Sequence, residues 1–262
     1  MRPSLVFAPF ALVATLGCDP EVRIFERDDV VIHHLLVGIG NVWALQGGSG
    51  TVLVDLSEKG DLPEIERGLA IEGIALDAVT LVVLTHGHLD HLGPAAALQA
   101  EIAAPIALGA ADVEFAEAGF SEPPESQIWE GEALRPLLDK SFPPFTPDLV
   151  LGTELDLTPF GVPGRVVATP GHTKGSVSVV LQSGDVFVGD LIRGTDEAGS
   201  EHQGRATTHF YSADPAGDVR ALEQLLVDGG AAFFPGHGPW FDADSLEGWL
   251  VDRKSELAAD DY

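Results

Sequence analysis

The chain has few cations and a single cysteine. Its 262 residues contain 14 Lys and Arg against 41 Asp and Glu, a formal net charge of −27. Proteins that bind nucleic acid neutralise phosphates with Lys and Arg, so this deficit opposes a nucleic-acid partner and favours a small-molecule one. The single cysteine, Cys18, excludes an intrachain disulfide. No oligomeric state is predicted.

The N-terminal apolar run is short. Leu5–Gly17 is thirteen residues long, follows one Arg and precedes Cys18. That length cannot span a bilayer as a helix, but it is typical of a secretory signal. The ending Thr-Leu-Gly-Cys resembles the lipobox of bacterial lipoproteins, although Thr15 stands where leucine is usual. The resemblance implies that residues 1–18 are a signal segment, that Cys18 is lipidated, and that the protein is exported in a bacterium, either periplasmic or membrane-anchored. The alternative is an ordinary N-terminal segment with an inert thiol.

Residues 19–262 predict one α/β domain. Hydrophobic residues make up 45% of the chain, which is enough for a sizeable core. Segments such as VVIHHLLVG, NVWALQ and DAVTLVVLT predict strands, and DLPEIERGLAIEGI and GDVRALEQLLVDGG predict helices. Strands and helices appear twice in a similar order, so we expect two αβ halves packed sheet to sheet. Residues 120–148 predict an ordered excursion of the lid or binding-loop kind, and residues 192–215 a polar loop.

The stretch THGHLDHLG, residues 85–93, places three of the nine histidines directly after a predicted buried strand. Buried imidazoles and carboxylates cost free energy unless they are partnered, and a divalent cation can accept their lone pairs. His86 and His88 are two residues apart and point the same way, whereas Asp90 and His91 lie past the bend and reach a second position. Nitrogen and oxygen donors favour zinc, with iron or manganese as alternatives.

Three later turns supply further donors. TPGHTKGS contains His172, DVFVGD ends at Asp190, and FFPGHG contains His237. Each of these residues follows an apolar run and lies beside glycine, which is where side chains gather at one rim of a sheet. The pattern therefore indicates a site for a pair of divalent cations.

The segments THGHLDHLG, TPGHTKGS, FVGDL and PGHG, in this order, resemble the metallo-β-lactamase superfamily in its hydrolase branch with a bridging aspartate. The similarity runs from about Val31 to His237. It implies the metallo-β-lactamase fold, a four-layer αββα sandwich with the metals at one edge of the sheets. It assigns His86, His88 and His172 to a first metal, Asp90, His91 and His237 to a second, and Asp190 to both. Because no cysteine follows residue 18, the branch with a thiol ligand is excluded.

The resemblance also implies a mechanism, in which a metal-bridging hydroxide attacks the substrate. Asp90 is the expected catalytic residue, which orients the hydroxide and passes a proton to the leaving group. After Asp190, the residues His209, Tyr211 and Arg193 are the expected substrate contacts, with a solvated loop as the alternative.

Small esters, thioesters or lactones are the expected substrates. Lactonases of the family place tyrosine where Arg193 stands, which disfavours a lactone. Two alternatives stay open: β-lactamase-like activity, and a persulfide dioxygenase that uses one iron on the same fold.

Overall fold

The computed structural model describes residues 20–196 and 203–260. Cys18 and the predicted signal segment, residues 1–18, lie outside the described residues, so lipidation and export stay predictions. Within the described ranges, no helix combines the length and the apolar character needed to cross a membrane.

The first sheet has seven strands in the described part of the chain, arranged side by side in sequence order. Strands β1 to β4 are antiparallel to their neighbours, whereas β4 to β7 run parallel. Every residue of β4 and β6 is buried, as expected of parallel strands that are covered on both faces. The strands are Glu21–Glu26 (β1), Val31–Leu36 (β2), Asn41–Gln46 (β3), Thr51–Val54 (β4), Val79–Leu84 (β5), Ile106–Gly109 (β6) and Leu149–Leu151 (β7).

The second sheet contains six strands among the described residues. They are Glu154–Asp156 (β8), Gly164–Ala168 (β9), Val177–Leu181 (β10), Asp185–Gly189 (β11), Ala232–Pro235 (β14) and Phe241–Asp242 (β15). Their spatial order is β15-β14-β11-β10-β9-β8, and β11 with β14 is the parallel pair. The carboxyl ends of β11 and β14 therefore meet at one rim.

A separate hairpin forms where a polar loop was expected. Arg193–Asp196 (β12) and Gly204–Thr207 (β13) pair antiparallel. Neither strand has the alternating apolar pattern that identifies a strand in sequence. Backbone bonds from the rest of the protein hold them instead: Gly194 N donates to His237 O and Gly204 N to Trp240 O. The prediction of a loop over the whole of 192–215 was wrong for this reason.

Helices cover the outer face of each sheet, which confirms the αββα sandwich. Helices α1 to α4 contribute to the apolar cluster on the outside of the first sheet, and α6 and α7 to that on the second. Trp43, Phe187 and Phe234 pack between the sheets, with the Trp43 and Phe234 ring centroids 5.1 Å apart. The helices are Leu62–Ile71 (α1), Leu89–Leu92 (α2), Ala95–Glu101 (α3), Val113–Ala118 (α4), Trp129–Leu134 (α5), Pro215–Val227 (α6) and Ala243–Asp260 (α7).

Residues 120–148, which we call the insertion, form an ordered excursion as predicted. The insertion contains α5 and is hydrogen-bonded to residues 210–212, which follow β13. Gln127 N donates to Phe210 O at 2.8 Å, Ser212 N donates to Glu125 O at 3.1 Å, and Tyr211 Oη donates to Gly131 O at 2.6 Å. These bonds fix the insertion against the rim.

Asn41 ties the two sheets together at that rim. Its Nδ2 donates to the carbonyl oxygens of Pro235 and Gly238, at 2.9 and 2.8 Å, and its Oδ1 lies 2.8 Å from His34 Nε2. The amide is buried with His34 and Pro235, so these two partners lack an easy replacement from water, whereas Gly238 is exposed.

We expect Asn41→Ala to lower the free energy of unfolding by roughly 1–3 kcal/mol, because it leaves the buried carbonyl of Pro235 and the buried ring of His34 without a partner. Gln99→Ala is a matched control, since Gln99 Nε2 also makes two hydrogen bonds but is exposed; its cost should stay below about 0.5 kcal/mol. Urea unfolding followed by circular dichroism measures both. Equal losses would contradict the role given to Asn41.

Candidate metal centre

Three histidines form a first cluster at the rim. His86 and His88 follow the end of β5, and His172 lies in the turn between β9 and β10. One donor atom from each residue lies within 4.8 Å of the others. His88 Nδ1 and His172 Nε2 are 3.0 Å apart. All three rings are buried, and His88 and His172 line a cavity beside the cluster.

A second cluster joins Asp90, His91 and His237. Asp90 Oδ2 lies 3.3 Å from His237 Nε2, and Asp90 Oδ1 lies 4.0 Å from His91 Nε2. His237 follows β14, while Asp90 and His91 lie in the short helix α2. Asp90 and His237 face a cavity of about 490 Å³, which makes this cluster the more accessible one.

The Asp190 carboxylate lies between the two clusters. Its Oδ2 is 3.7 Å from Nε2 of both His86 and His172. The same oxygen is 3.3 Å from His91 Nε2 and 3.5 Å from His237 Nε2. The structure thus brings together all seven residues that the sequence predicted as ligands.

The donor atoms fit cations because several of them have no other partner. His86 Nε2, His91 Nε2 and Asp190 Oδ1 are buried without a hydrogen bond. A buried polar atom left unpaired costs about 1–3 kcal/mol, so such a concentration needs an explanation. Divalent cations that take nitrogen and oxygen ligands provide one.

Hydrogen bonds at the far side of each ring fix the tautomer. His172 Nδ1 donates to Tyr211 O at 2.9 Å, and His237 Nδ1 donates to Ile39 O at 2.9 Å, because a carbonyl can only accept. His91 Nδ1 lies 2.9 Å from the Asp55 carboxylate. In each ring Nε2 is left facing Asp190, and in the neutral ring it carries the lone pair that a metal ligand requires.

The two clusters differ in protonation. Burial lowers the pKa of His86 and His172 well below its usual value and that of His88 to about 4, so all three are neutral at pH 7. Burial also opposes the charged form of His91 and His237. The carboxylates of Asp190 and Asp55 nevertheless raise the pKa of His91, and Asp190 with Asp90 raises that of His237 to about 10.

Asp55, at the end of β4, supports the centre and was not predicted. Its carboxylate accepts hydrogen bonds from Thr85 N at 2.7 Å and Thr85 Oγ1 at 2.8 Å, besides contacting His91. Asp55 has φ +60°, an uncommon conformation for a residue other than glycine. The sequence signal that could have indicated it is an acidic residue directly after the apolar run TVLV.

Asp112 was also missed, and it clamps the two turns of the first cluster. Its Oδ2 accepts from Gly87 N at 2.8 Å and from Thr173 Oγ1 at 2.6 Å, and its Oδ1 accepts from Gly175 N at 3.0 Å. The spacing between His88 and His172 therefore depends on this one carboxylate. Thr85 Oγ1 lies 3.1 Å from His86 Nδ1, and Thr173 supports the turn of His172 through Asp112.

The three expected substrate contacts all line the cavity. His209 Nε2 is 3.1 Å from Asp190 Oδ2, so it also lies within ligand distance of the metal centre. The Tyr211 hydroxyl donates to Gly131 O, so its proton is already in a hydrogen bond and is not free to stabilise a substrate oxyanion. The Arg193 guanidinium lies 4.4 Å from the Phe210 ring centroid, and its Nε donates to Thr208 O.

The sandwich and its histidine-aspartate centre place the chain in the class of metal-dependent hydrolases. The model of the metallo-β-lactamase superfamily matches residues 35–237, and the chain belongs to that superfamily.

Known relatives agree with this assignment. Beta-lactamase-like protein 2 homolog of Drosophila melanogaster is 24% identical over 90% of this chain and 67% of its own length. Metallo-beta-lactamase domain-containing protein 1 of Mus musculus is 32% identical over 73% of this chain and 61% of its own length. The chain thus spans about two thirds or less of these relatives. A metallo-β-lactamase of Cronobacter sakazakii with a HARLDQ motif superimposes with a TM-score of 0.62 at 19% identity, covering 87% of this chain and 90% of that one, which shows the fold.

Removing the Asp55 carboxylate should weaken metal binding through His91. We expect Asp55→Asn to lower zinc affinity by about 10–100-fold, because the ring loses the partner that fixes its tautomer. Asp185→Asn is the matched control, since Asp185 is a buried carboxylate paired with Arg27 away from the centre. Chelator competition measures both affinities. An unchanged affinity in Asp55→Asn would contradict this role.

The two clusters should respond differently to pH. In His237→Ala, which retains the first cluster, we expect the zinc dissociation constant to vary little between pH 6 and 8, because those histidines are already neutral. In His88→Ala, binding at the second cluster must displace protons. The zinc dissociation constant of this variant should therefore fall about tenfold for each unit by which the pH rises, for each proton released. Chelator competition at three pH values tests this, and equal slopes would count against it.

Proposed function

We propose that this protein is a dinuclear metal-dependent hydrolase of small acyl compounds, namely esters, thioesters or lactones. The observation that carries the proposal is the position of Asp190 Oδ2, 3.7 Å from His86 Nε2 in the first cluster and 3.3 Å from His91 Nε2 in the second. A carboxylate in contact with both sets of donors is suited to bridge two cations.

Zinc suits these nitrogen and oxygen donors, and iron or manganese are the alternatives. When bound, two such ions lower the pKa of a water molecule toward neutrality and polarise the carbonyl oxygen of a substrate. His86, His88 and His172 would hold one ion, Asp90, His91 and His237 the other, and Asp190 both.

Among the candidate ligands, Asp90 is best placed to accept and donate protons during the reaction. It lines the cavity, and its side chain is 27% exposed against 3% for Asp190. Burial would raise the pKa of Asp90, but the hydrogen bond from His237 and the charge of His91 outweigh it and lower the pKa. The ionised carboxylate can take a proton from the attacking water and then pass that proton to the leaving group.

Arg193 is suited to bind a substrate oxygen. It lines the cavity beside the centre, and its Nε bond to Thr208 O fixes the guanidinium against Phe210. We propose that its terminal N–H groups hold an oxygen atom of the substrate away from the scissile bond. Tyr211, whose hydroxyl is engaged by Gly131 O, would contribute its ring to the cavity wall and not a proton.

Replacing Asp90 should stop turnover while the first cluster keeps its three histidines. We expect Asp90→Asn to lower kcat by roughly 10²–10⁴-fold on p-nitrophenyl acetate, the range typical of a lost general acid-base group. Asp139→Asn is the control, because Asp139 lines the same cavity and its side chain is 48% exposed, away from the centre. Its kcat should stay within about twofold of the parent. Full activity of Asp90→Asn would refute the assignment.

The reaction class is tested by metal analysis combined with a substrate screen. The screen comprises p-nitrophenyl esters, thioesters, lactones, a chromogenic β-lactam and a phosphodiester. Two zinc ions per chain with acyl turnover would support the proposal. One iron per chain with oxygen uptake on a persulfide would instead identify a dioxygenase.

A further inference from the structure

Apolar side chains make up much of the lining of the cavity beside the metal centre. We call five of them the apolar wall: Ile39, Leu134, Leu137, Leu138 and Phe210. Three of its residues belong to the insertion, so most of the wall is formed by the insertion and not by the two sheets. The cavity volume, about 490 Å³, lies within the range of small-molecule sites.

Folding does not account for these side chains. Leu137 is 78% exposed, Ile39 60% and Leu134 40%, although each is large and aliphatic. Scattered exposed apolar residues are ordinary, but a group of them that lines one cavity indicates a binding surface. The free energy that their burial would contribute is still available to a ligand.

The wall is already in place before a ligand binds. Arg135, between Leu134 and Leu137, donates to the carbonyl oxygens of Pro123 and Pro124, and its guanidinium lies 5.5 Å from the Tyr211 ring centroid. Gln127 N donates to Phe210 O, which joins the insertion, with its three leucines of the wall, to the segment that carries Phe210. A preformed surface loses little conformational entropy on binding, so the apolar contact counts nearly in full toward affinity.

The charges around the cavity disfavour an anionic tail. Apart from the candidate ligands and His209, its charged lining residues in the described ranges are Glu58, Asp139 and Arg193. Asp139 is paired with Lys59, which neutralises it. Glu58 and Asp90 line the same cavity, so negative side chains outnumber the one guanidinium there even without Asp139. That guanidinium, of Arg193, is held by the Phe210 ring and by Thr208 O.

We propose that the substrate carries a neutral, medium-length apolar acyl chain that packs along the apolar wall while its carbonyl group lies at the metal centre. This inference rests on the proposed acyl hydrolysis and names the substrate class within it. A short acyl group leaves the wall exposed, and an acyl chain that ends in a carboxylate adds a negative charge to a cavity that Glu58 already lines.

The test is a chain-length series with the zinc-loaded full-length protein, from p-nitrophenyl acetate through butanoate and hexanoate to octanoate. We expect kcat/KM to rise about twofold for each methylene group that is half-buried on the wall. Leu137→Ser and Leu134→Ser should flatten this rise by about fivefold or more at octanoate and leave acetate unchanged. A monoester ending in a carboxylate should react at least about tenfold more slowly than the neutral ester of equal length.

Val227→Ser is the matched control, because Val227 is 79% exposed on α6 and does not line the cavity; it should leave the series unchanged. The chain-binding role of the wall would be overturned if kcat/KM stayed constant along the series in the parent protein, or if its rise survived both leucine substitutions. In either case, turnover of the acetate would still support the proposed acyl hydrolysis. Absence of turnover with every ester would overturn the proposed function itself, and the wall's acyl assignment with it.

Discussion

A concentration of buried lone pairs at one sheet rim is the constraint around which this protein is organised. Asp190 Oδ2 lies within 4 Å of ring nitrogens from His86, His91, His172, His209 and His237. Without cations such an arrangement would carry a large desolvation penalty, since imidazole and carboxylate lone pairs would face one another in a dry interior. The surrounding structure holds these groups at fixed distances. Asp55 and Asp112 hydrogen-bond to the residues of the ligand-bearing turns, and backbone carbonyls orient the histidine rings.

The sandwich supplies the place where those turns can meet. Parallel pairing brings the carboxyl ends of β11 and β14 together, and β5 of the facing sheet ends at the same rim. The β9–β10 turn reaches this rim through the bond from Val177 N to Thr85 O. Glycine is required where the backbone approaches the ligands most closely. A Cβ on Gly236 would lie 2.3 Å from Asp190 Oδ1 and 2.5 Å from His91 Cε1, which is closer than atoms can approach.

The sequence predicted the centre well because its ligands stand in short motifs after apolar runs, and the resemblance that these motifs carry predicted the sandwich. Residues whose role depends on distant contacts were not predictable in the same way. Asp112 precedes a helix with no motif around it, yet it contacts turns that are 25 and 61 residues away in sequence. The β12–β13 hairpin depends on bonds to residues after β14, and the proximity of His209 to Asp190 follows from the path of the chain after that hairpin.

Because the insertion is attached to residues 210–212, the position of the ligand His172 and the lining of the cavity are linked to each other. The same short segment orients His172 through the Tyr211 carbonyl, carries Phe210 into the cavity, and forms backbone bonds with Glu125 and Gln127. Side chains of the insertion that take no part in this attachment, such as Leu134 and Leu137, can change without moving the segment, and the preferred ligand would change with them. The backbone path of the insertion at 125–127 cannot drift, since any shift would be transmitted to the ring of His172.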